Sequence, residues 1–163
     1  MHAEVWDPQT ETWTTLAAGA RYRGYHSTAL LLPDGRVWVG GGGHIDPLGG
    51  PQYNYEIFSP PYLFKGPRPT ITHAPSVVTY GQAFEVATPD GADIQQVTWV
   101  RLGAVTHAFN ENQRINTLAY GLSAEGLAVT SPSDPNLAPP GHYMLFILNA
   151  QGVPSQAAIV QLA

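Results

Sequence analysis

The sequence predicts an all-β protein built from two unlike parts, and three observations carry that expectation. Charged residues are only 12% of the 163 residues, against about 25% in an average globular domain. Gly 17 and Pro 15 supply frequent turns, and aromatic residues make up 10%. That balance describes short strands joined by tight loops, not a disordered polymer. No apolar spacing of three, four and seven is sustained along the chain, so no helix is predicted.

The N-terminal part carries an internal repeat. Glu4-Val5-Trp6-Asp7-Pro8 reads like Glu56-Ile57-Phe58-Ser59-Pro60, 52 residues later. Each copy is acid, β-branched, aromatic, small polar and proline, which describes a short strand stopped by a proline turn. Between the copies, Tyr25 to Leu32 and Arg36 to Gly40 read as strands around Pro33-Asp34-Gly35, and Asp-Gly is a strong hairpin signal. A period of about 50 residues with short strands is that of a kelch propeller blade, and Trp13 fits the same pattern. Residues 1–64 are therefore read as a kelch propeller blade remnant: one blade and the last strand of another. A ring needs about four to eight blades. Closure thus requires another chain, an absent segment or self-association, and Val37, Val39, Ile57 and Phe58 are expected to form the exposed apolar face.

Lys65-Gly66-Pro67-Arg68-Pro69 is linker-like, and residues 65–163 form the second domain. Strands are predicted at 76–79, 83–87, 96–101, 104–109, 115–120, 127–130, 142–149 and 157–161, with Gly/Pro turns between them. That many short strands at near-regular spacing predict an antiparallel immunoglobulin-like sandwich.

Composition excludes several functions. Net charge is −5 and the seven Lys and Arg residues are scattered, so neither nucleic acid nor an anionic membrane is an expected partner. The longest apolar run, around Tyr143 to Leu148, has strand length and is far short of a membrane span. Cysteine is absent, which removes disulfides and thiolate metal sites. The N-terminal residues lack the basic and apolar regions of a signal peptide. Gly40 to Gly43 lacks the following Lys and Ser or Thr of a phosphate loop; close backbone approach explains it better.

Six histidines, at 2, 26, 44, 73, 107 and 142, are not spaced as a metal pair on one element. A site would have to join distant segments, such as His26 and His107, 81 residues apart; spacing does not select that pair. Tyr25 and His26 are adjacent, and adjacent strand residues face opposite ways. They share one site only at a strand end or bulge, for which Arg23-Gly24 provides a bend. The alternative has Tyr25 in the core and His26 on the surface.

Specific motifs add a family resemblance. Residues 23–37 (Arg-Gly-Tyr-His-Ser-Thr-Ala-Leu-Leu-Leu-Pro-Asp-Gly-Arg-Val), with the glycine run after them, resemble the last blade of galactose oxidase and glyoxal oxidase, the copper radical oxidases. Glu56 to Leu63 resembles the strand leaving that blade, and Arg68-Pro69-Thr70-Ile71 the entry to the C-terminal early-set domain. Residues 106–114, Pro140 to Phe146 and Gly152 to Ser155 complete the match. The resemblance implies copper held by His26 and His107, with Tyr25 as axial phenol and catalytic proton acceptor. It also implies oxidation of an alcohol or aldehyde by O₂ to give H₂O₂, and an extracellular location. The family's second tyrosine is cross-linked to a cysteine in an earlier blade, and this sequence has no cysteine. The chain alone is therefore expected to be inactive, with an incomplete copper site. The competing expectation is a non-catalytic module that binds protein or carbohydrate. Either a homo-oligomer or a missing propeller chain is the expected partner.

Overall fold

A computed structural model describes residues 2–43, 50–107 and 109–163; His44 lies outside them. The described residues are all-β apart from two short 3₁₀ turns, at Pro61–Phe64 and Gly91–Asp93.

Strands β1 (His2–Asp7) and β2 (Thr12–Ala18) form an antiparallel hairpin in which Trp6 faces Trp13. The Asp7 carboxylate accepts the Gln9 N–H at 2.8 Å, so the predicted Asp-Pro stop is an Asx-type turn. The expectation of one leftover strand is corrected here, because two strands pair. A second sheet follows, of order β3 (Ser27–Leu31), β4 (Val37–Gly41) and β5 (Tyr55–Phe58). Its hairpin turns at Asp34-Gly35, where Gly35 adopts φ 81 and donates its N–H to the Leu32 carbonyl. The register sets Val37 opposite Phe58 and Trp38 opposite Ile57. Ile57 therefore belongs to the Trp38 face, not to the apolar face of Val37, Val39 and Phe58, because cross-strand partners point the same way. Between hairpin and sheet lies a cleft of about 630 Å³.

The C-terminal part is a sandwich. One sheet has the order β11 (Ile115–Leu118), β8 (Ile94–Arg101), β14 (Gly141–Asn149), β15 (Ala158–Leu162) and β6 (Val77–Val78). The other has the order β12 (Tyr120–Leu122), β13 (Gly126–Thr130) and β7 (Ala83–Ala87). Alternation places Val97, Trp99, Tyr143, Leu145, Ile147, Val86, Leu127 and Val129 between the sheets, all fully buried. Trp99 stacks on Tyr143 with ring centroids 4.6 Å apart and donates its indole N–H to Asn116, which satisfies the polar tip of a buried aromatic.

Three strand expectations change. Residues 104–109 are not one strand but a tight hairpin, β9 (Val105–Thr106) and β10 (Phe109–Asn110). Residues 115–120 split between the two sheets at Ala119, since β11 pairs with β8 and β12 with β13. The sandwich is not purely antiparallel, because β6 runs parallel to β15.

The two parts are joined by polar contacts over a small apolar contact. Arg68 donates to the Asp34 carbonyl (2.7 Å) on one side and to the Pro154 (2.9 Å) and Ser155 (2.6 Å) carbonyls on the other. The Ala157 N–H donates to the Pro33 carbonyl at 2.8 Å. Leu31, Tyr62, Val100, Phe146 and Pro154 surround a cavity of about 130 Å³ at the junction.

Candidate metal centre

Tyr25 and His26 lie not in β3 but in the turn that leads into it. The Ser27 N–H donates to the Gly24 carbonyl at 3.0 Å, which closes a four-residue turn. His26 has φ 64, as the third residue of a type II turn requires. The strand alternation that would have separated the two side chains therefore does not apply. Their rings stack with centroids 3.8 Å apart. Tyr25 is 57% exposed, so the alternative that buried it in the core is corrected: the turn lifts it out of the sheet.

The glycine run holds this turn from behind. The Gly43 N–H donates to the Tyr25 carbonyl at 2.7 Å. Gly41 has φ 73, and a Cβ there would meet the His26 carbonyl oxygen at 3.2 Å. Close backbone approach, expected from the sequence, is thus the role of Gly41; the residues after Gly43 lie outside the described ones.

His107 arrives from the sandwich. It stands at the tip of the β9–β10 hairpin with φ 53, since two-residue hairpin turns demand a left-handed residue. Asn110 knits the hairpin base by accepting the Ala104 and Asn112 N–H groups, both at 3.1 Å. Asn112 in turn donates to the Leu102 carbonyl. The base rests on β3, where a Cβ on Gly103 would lie 3.1 Å from Leu30. The result is convergence: the His107 ring centroid is 4.6 Å from that of His26 and 5.7 Å from that of Tyr25. The Nδ1 of His107 lies 2.7 Å from the Thr106 hydroxyl. That bond engages one ring nitrogen and leaves Nε2 for a ligand.

The donor set is two imidazole nitrogens and one phenol oxygen. It suits a tetragonal Cu(II) or another borderline metal and does not suit Ca²⁺ or Mg²⁺. Among the described residues no group of three or more His, Cys, Asp or Glu side chains gathers; a metal at this cluster could take a third donor from the Tyr25 phenol. His2, His73 and His142 do not join the cluster. His2 bonds the Leu16 carbonyl, His73 bridges to Ala87 through its backbone, and His142 sits on β14.

Sequence reasoning missed several supporting residues. Arg23 lies beneath the turn, with its guanidinium on Gly41, Asn54 and Glu56. Thr106, Asn110 and Asn112 fix the hairpin. The Asn-x-Asn pattern of 110–112 is an Asx-turn signal that could have marked a tight loop there. Glu56 sits below the usual carboxylate range because it accepts the Ala20 N–H at 2.7 Å, with the Arg23 contact adding to this.

Comparison with known proteins agrees with this architecture. Residues 68–162 match the family described as galactose oxidase-like, early set domain. Galactose oxidase of Gibberella zeae is 33% identical over 166 residues, covering 98% of this chain and 24% of that protein. Aldehyde oxidase GLOX of Vitis pseudoreticulata is 36% identical over 172 residues, covering 91% of this chain and 31% of that one. Among solved structures, a fungal alcohol oxidase of the AA5 family in complex with copper superposes with a TM-score of 0.89 at 31% identity. It covers 99% of this chain and 36% of its own. The chain belongs to the galactose oxidase-like early set domain family, and its C-terminal part is the immunoglobulin-like early-set sandwich. It spans 24–36% of the length of these relatives. No helix among the described residues is long and apolar enough to cross a membrane.

Proposed function

We propose that this chain is the C-terminal portion of a copper radical oxidase and supplies three ligands to its metal: Tyr25, His26 and His107. The observation that carries the reading is the meeting of these rings, 3.8–5.7 Å apart, from two segments 81 residues distant in sequence. The similarity to a copper-containing alcohol oxidase over 99% of the chain supports it. Copper, when bound, supplies one-electron redox chemistry for oxidising an alcohol or aldehyde with O₂. The chain's own residues have narrower roles. His26 and His107 offer imidazole nitrogens, and the Thr106 hydroxyl orients the His107 ring. In this reading the phenol of Tyr25, an exposed residue, accepts the substrate's hydroxyl proton.

The β1–β2 hairpin and the β3–β4–β5 sheet serve in this reading as propeller parts. The outer edge of β5 has no partner strand among the described residues, so either the rest of a propeller or a second copy completes the sheet. The chain has no cysteine for a tyrosyl–cysteine cofactor; alone it yields no H₂O₂ from galactose or glyoxal. By the same kinship the full protein acts outside the cell.

Cu(II) titration tests the reading. His26→Ala and His107→Ala each weaken binding far more than His2→Ala, His73→Ala or His142→Ala, and Tyr25→Phe weakens it less. Affinity indifferent to His26 and His107, in a chain that forms a stable oligomer, would instead leave the non-catalytic binding module.

A further inference from the structure

We propose that Arg23 is a positioning residue for the Tyr25–His26 turn: its guanidinium fastens both strands behind the turn and so sets where His26 meets His107. The inference rests on the copper reading above.

Arg23 lies two residues before Tyr25, and its side chain is 9% exposed. One terminal nitrogen donates to the Gly41 carbonyl at 3.0 Å and to the Asn54 carbonyl at 3.0 Å. The other donates to Glu56 at 3.1 Å. These partners are the end of β4, the residue just before β5, and β5 itself. Gly41 is the residue whose left-handed backbone lies against the His26 carbonyl, and its N–H donates to the Asn54 carbonyl that Arg23 also holds. A single planar group therefore fixes the backing against which the turn rests. Glu56 completes the frame by accepting the Ala20 N–H, which anchors the chain entering the turn. The Nε of Arg23 is buried without a partner among the described residues. Burying an unsatisfied polar atom costs stability, so the side chain is kept here for its fork and not for its packing. A lysine ammonium is a point charge and cannot span two carbonyls and a carboxylate in one plane.

The test uses Cu(II) alone as the probe on the 163-residue chain, well below the melting midpoint of every variant. Arg23→Lys keeps the charge and loses the fork; Arg23→Met keeps the stem and loses both. Each is expected to weaken Cu(II) binding about 10–100-fold, as loss of an outer-shell partner typically does. Each should also reduce the electron paramagnetic resonance nitrogen pattern from two coupled nitrogens to one. Val129→Ala, in the distant sandwich core, controls for stability alone and keeps wild-type affinity and spectrum. Folded Arg23 variants that bind within about twofold of wild type with both nitrogens coupled, while His26→Ala loses binding, would overturn the inference and leave the copper reading intact. If His26→Ala and His107→Ala also bind as wild type, both fall together. Should neither Arg23 variant fold, Glu56→Gln removes only the ion pair; a smaller loss in the same direction supports the role, and unchanged affinity and spectrum refute it.

Discussion

Replacing Arg68 with methionine should loosen the two parts of the molecule from each other. Arg68 donates three hydrogen bonds, to the carbonyls of Asp34, Pro154 and Ser155, at 2.6–2.9 Å. Bonds to charged groups contribute about 1.5–3 kcal/mol each. A plain sum overstates the loss, because Arg68 is only half-buried and water can replace it at some of these carbonyls. Ser155 is the exception: it is fully buried, and its carbonyl would be left without the guanidinium. An unsatisfied buried acceptor costs about 1–3 kcal/mol. Arg68→Met keeps the stem that packs at the junction, and the expected loss is about 2–4 kcal/mol. With a urea slope of about 2 kcal/mol/M, the middle of the usual range, the midpoint should fall by roughly 1–2 M. The two parts should also separate in the transition, with the region around Trp38 melting before Trp99. A single transition displaced by less than about 0.5 kcal/mol would refute the reasoning, since that is the scale of an ordinary surface change.

Three further outcomes are expected. Burial pushes the phenols of Tyr62 and Tyr143 above their ordinary 10.0, so the folded state favours the protonated form. That stability is fully present below pH 10.0 and is lost as pH rises through the raised folded values; a urea midpoint equal at about pH 9 and about pH 11 would contradict this. Cu(II) at about 100 times its Kd should stabilise the chain by about 2.7 kcal/mol, read by thermal melting, and His107→Ala should abolish the gain. The open edge of β5, with its exposed Tyr55 and Ile57, should drive self-association; Val37, Val39 and Phe58, expected to be exposed, are half-buried along the cleft beside the β1–β2 hairpin. Light scattering at high micromolar concentration is expected to show a dimer or larger species, and a clean monomer counts against it.

The sandwich was legible because its signals are local. Alternation along β8 and β13, the strand-length apolar run of β14, and turn residues such as Asp90-Gly91 and Gln151-Gly152 mark strands without knowledge of partners. The errors fall where tertiary pairing decides. Residues 115–120 carry one strand's pattern, yet the chain changes sheets at Ala119, and nothing in its residue type announces that. At 104–109 the apolar run hid a hairpin whose turn is made by a histidine and not by the glycine a turn reading looks for. The histidine pair is the same case at longer range. Spacing could not select His26 and His107, because an 81-residue separation is closed by domain docking. The family resemblance selected them. Arg23 was invisible for a related reason: its partners Gly41, Asn54 and Glu56 meet only once β4 and β5 pair.

Backbone strain offers an independent reason to assign chemistry to the two histidines. Three described non-glycine residues have positive φ: Glu11, His26 and His107. A left-handed residue with a side chain costs roughly 1–2 kcal/mol, which glycine would avoid and asparagine would reduce. Glu11 needs only the turn explanation, because it sits in the β1–β2 connection and is exposed. His26 and His107 lie in turns as well, yet turns alone prefer glycine or asparagine at such positions. If stability governed both positions, histidine would be the poorer choice twice, in turns from separate parts of the molecule. Their rings also end 4.6 Å apart, edge to face, with a tyrosine beside them. Strain at one position is an accident of a loop. Strain at two positions that converge on one point is what the proposed metal role accounts for, and imidazoles paired with a phenol suit a transition metal.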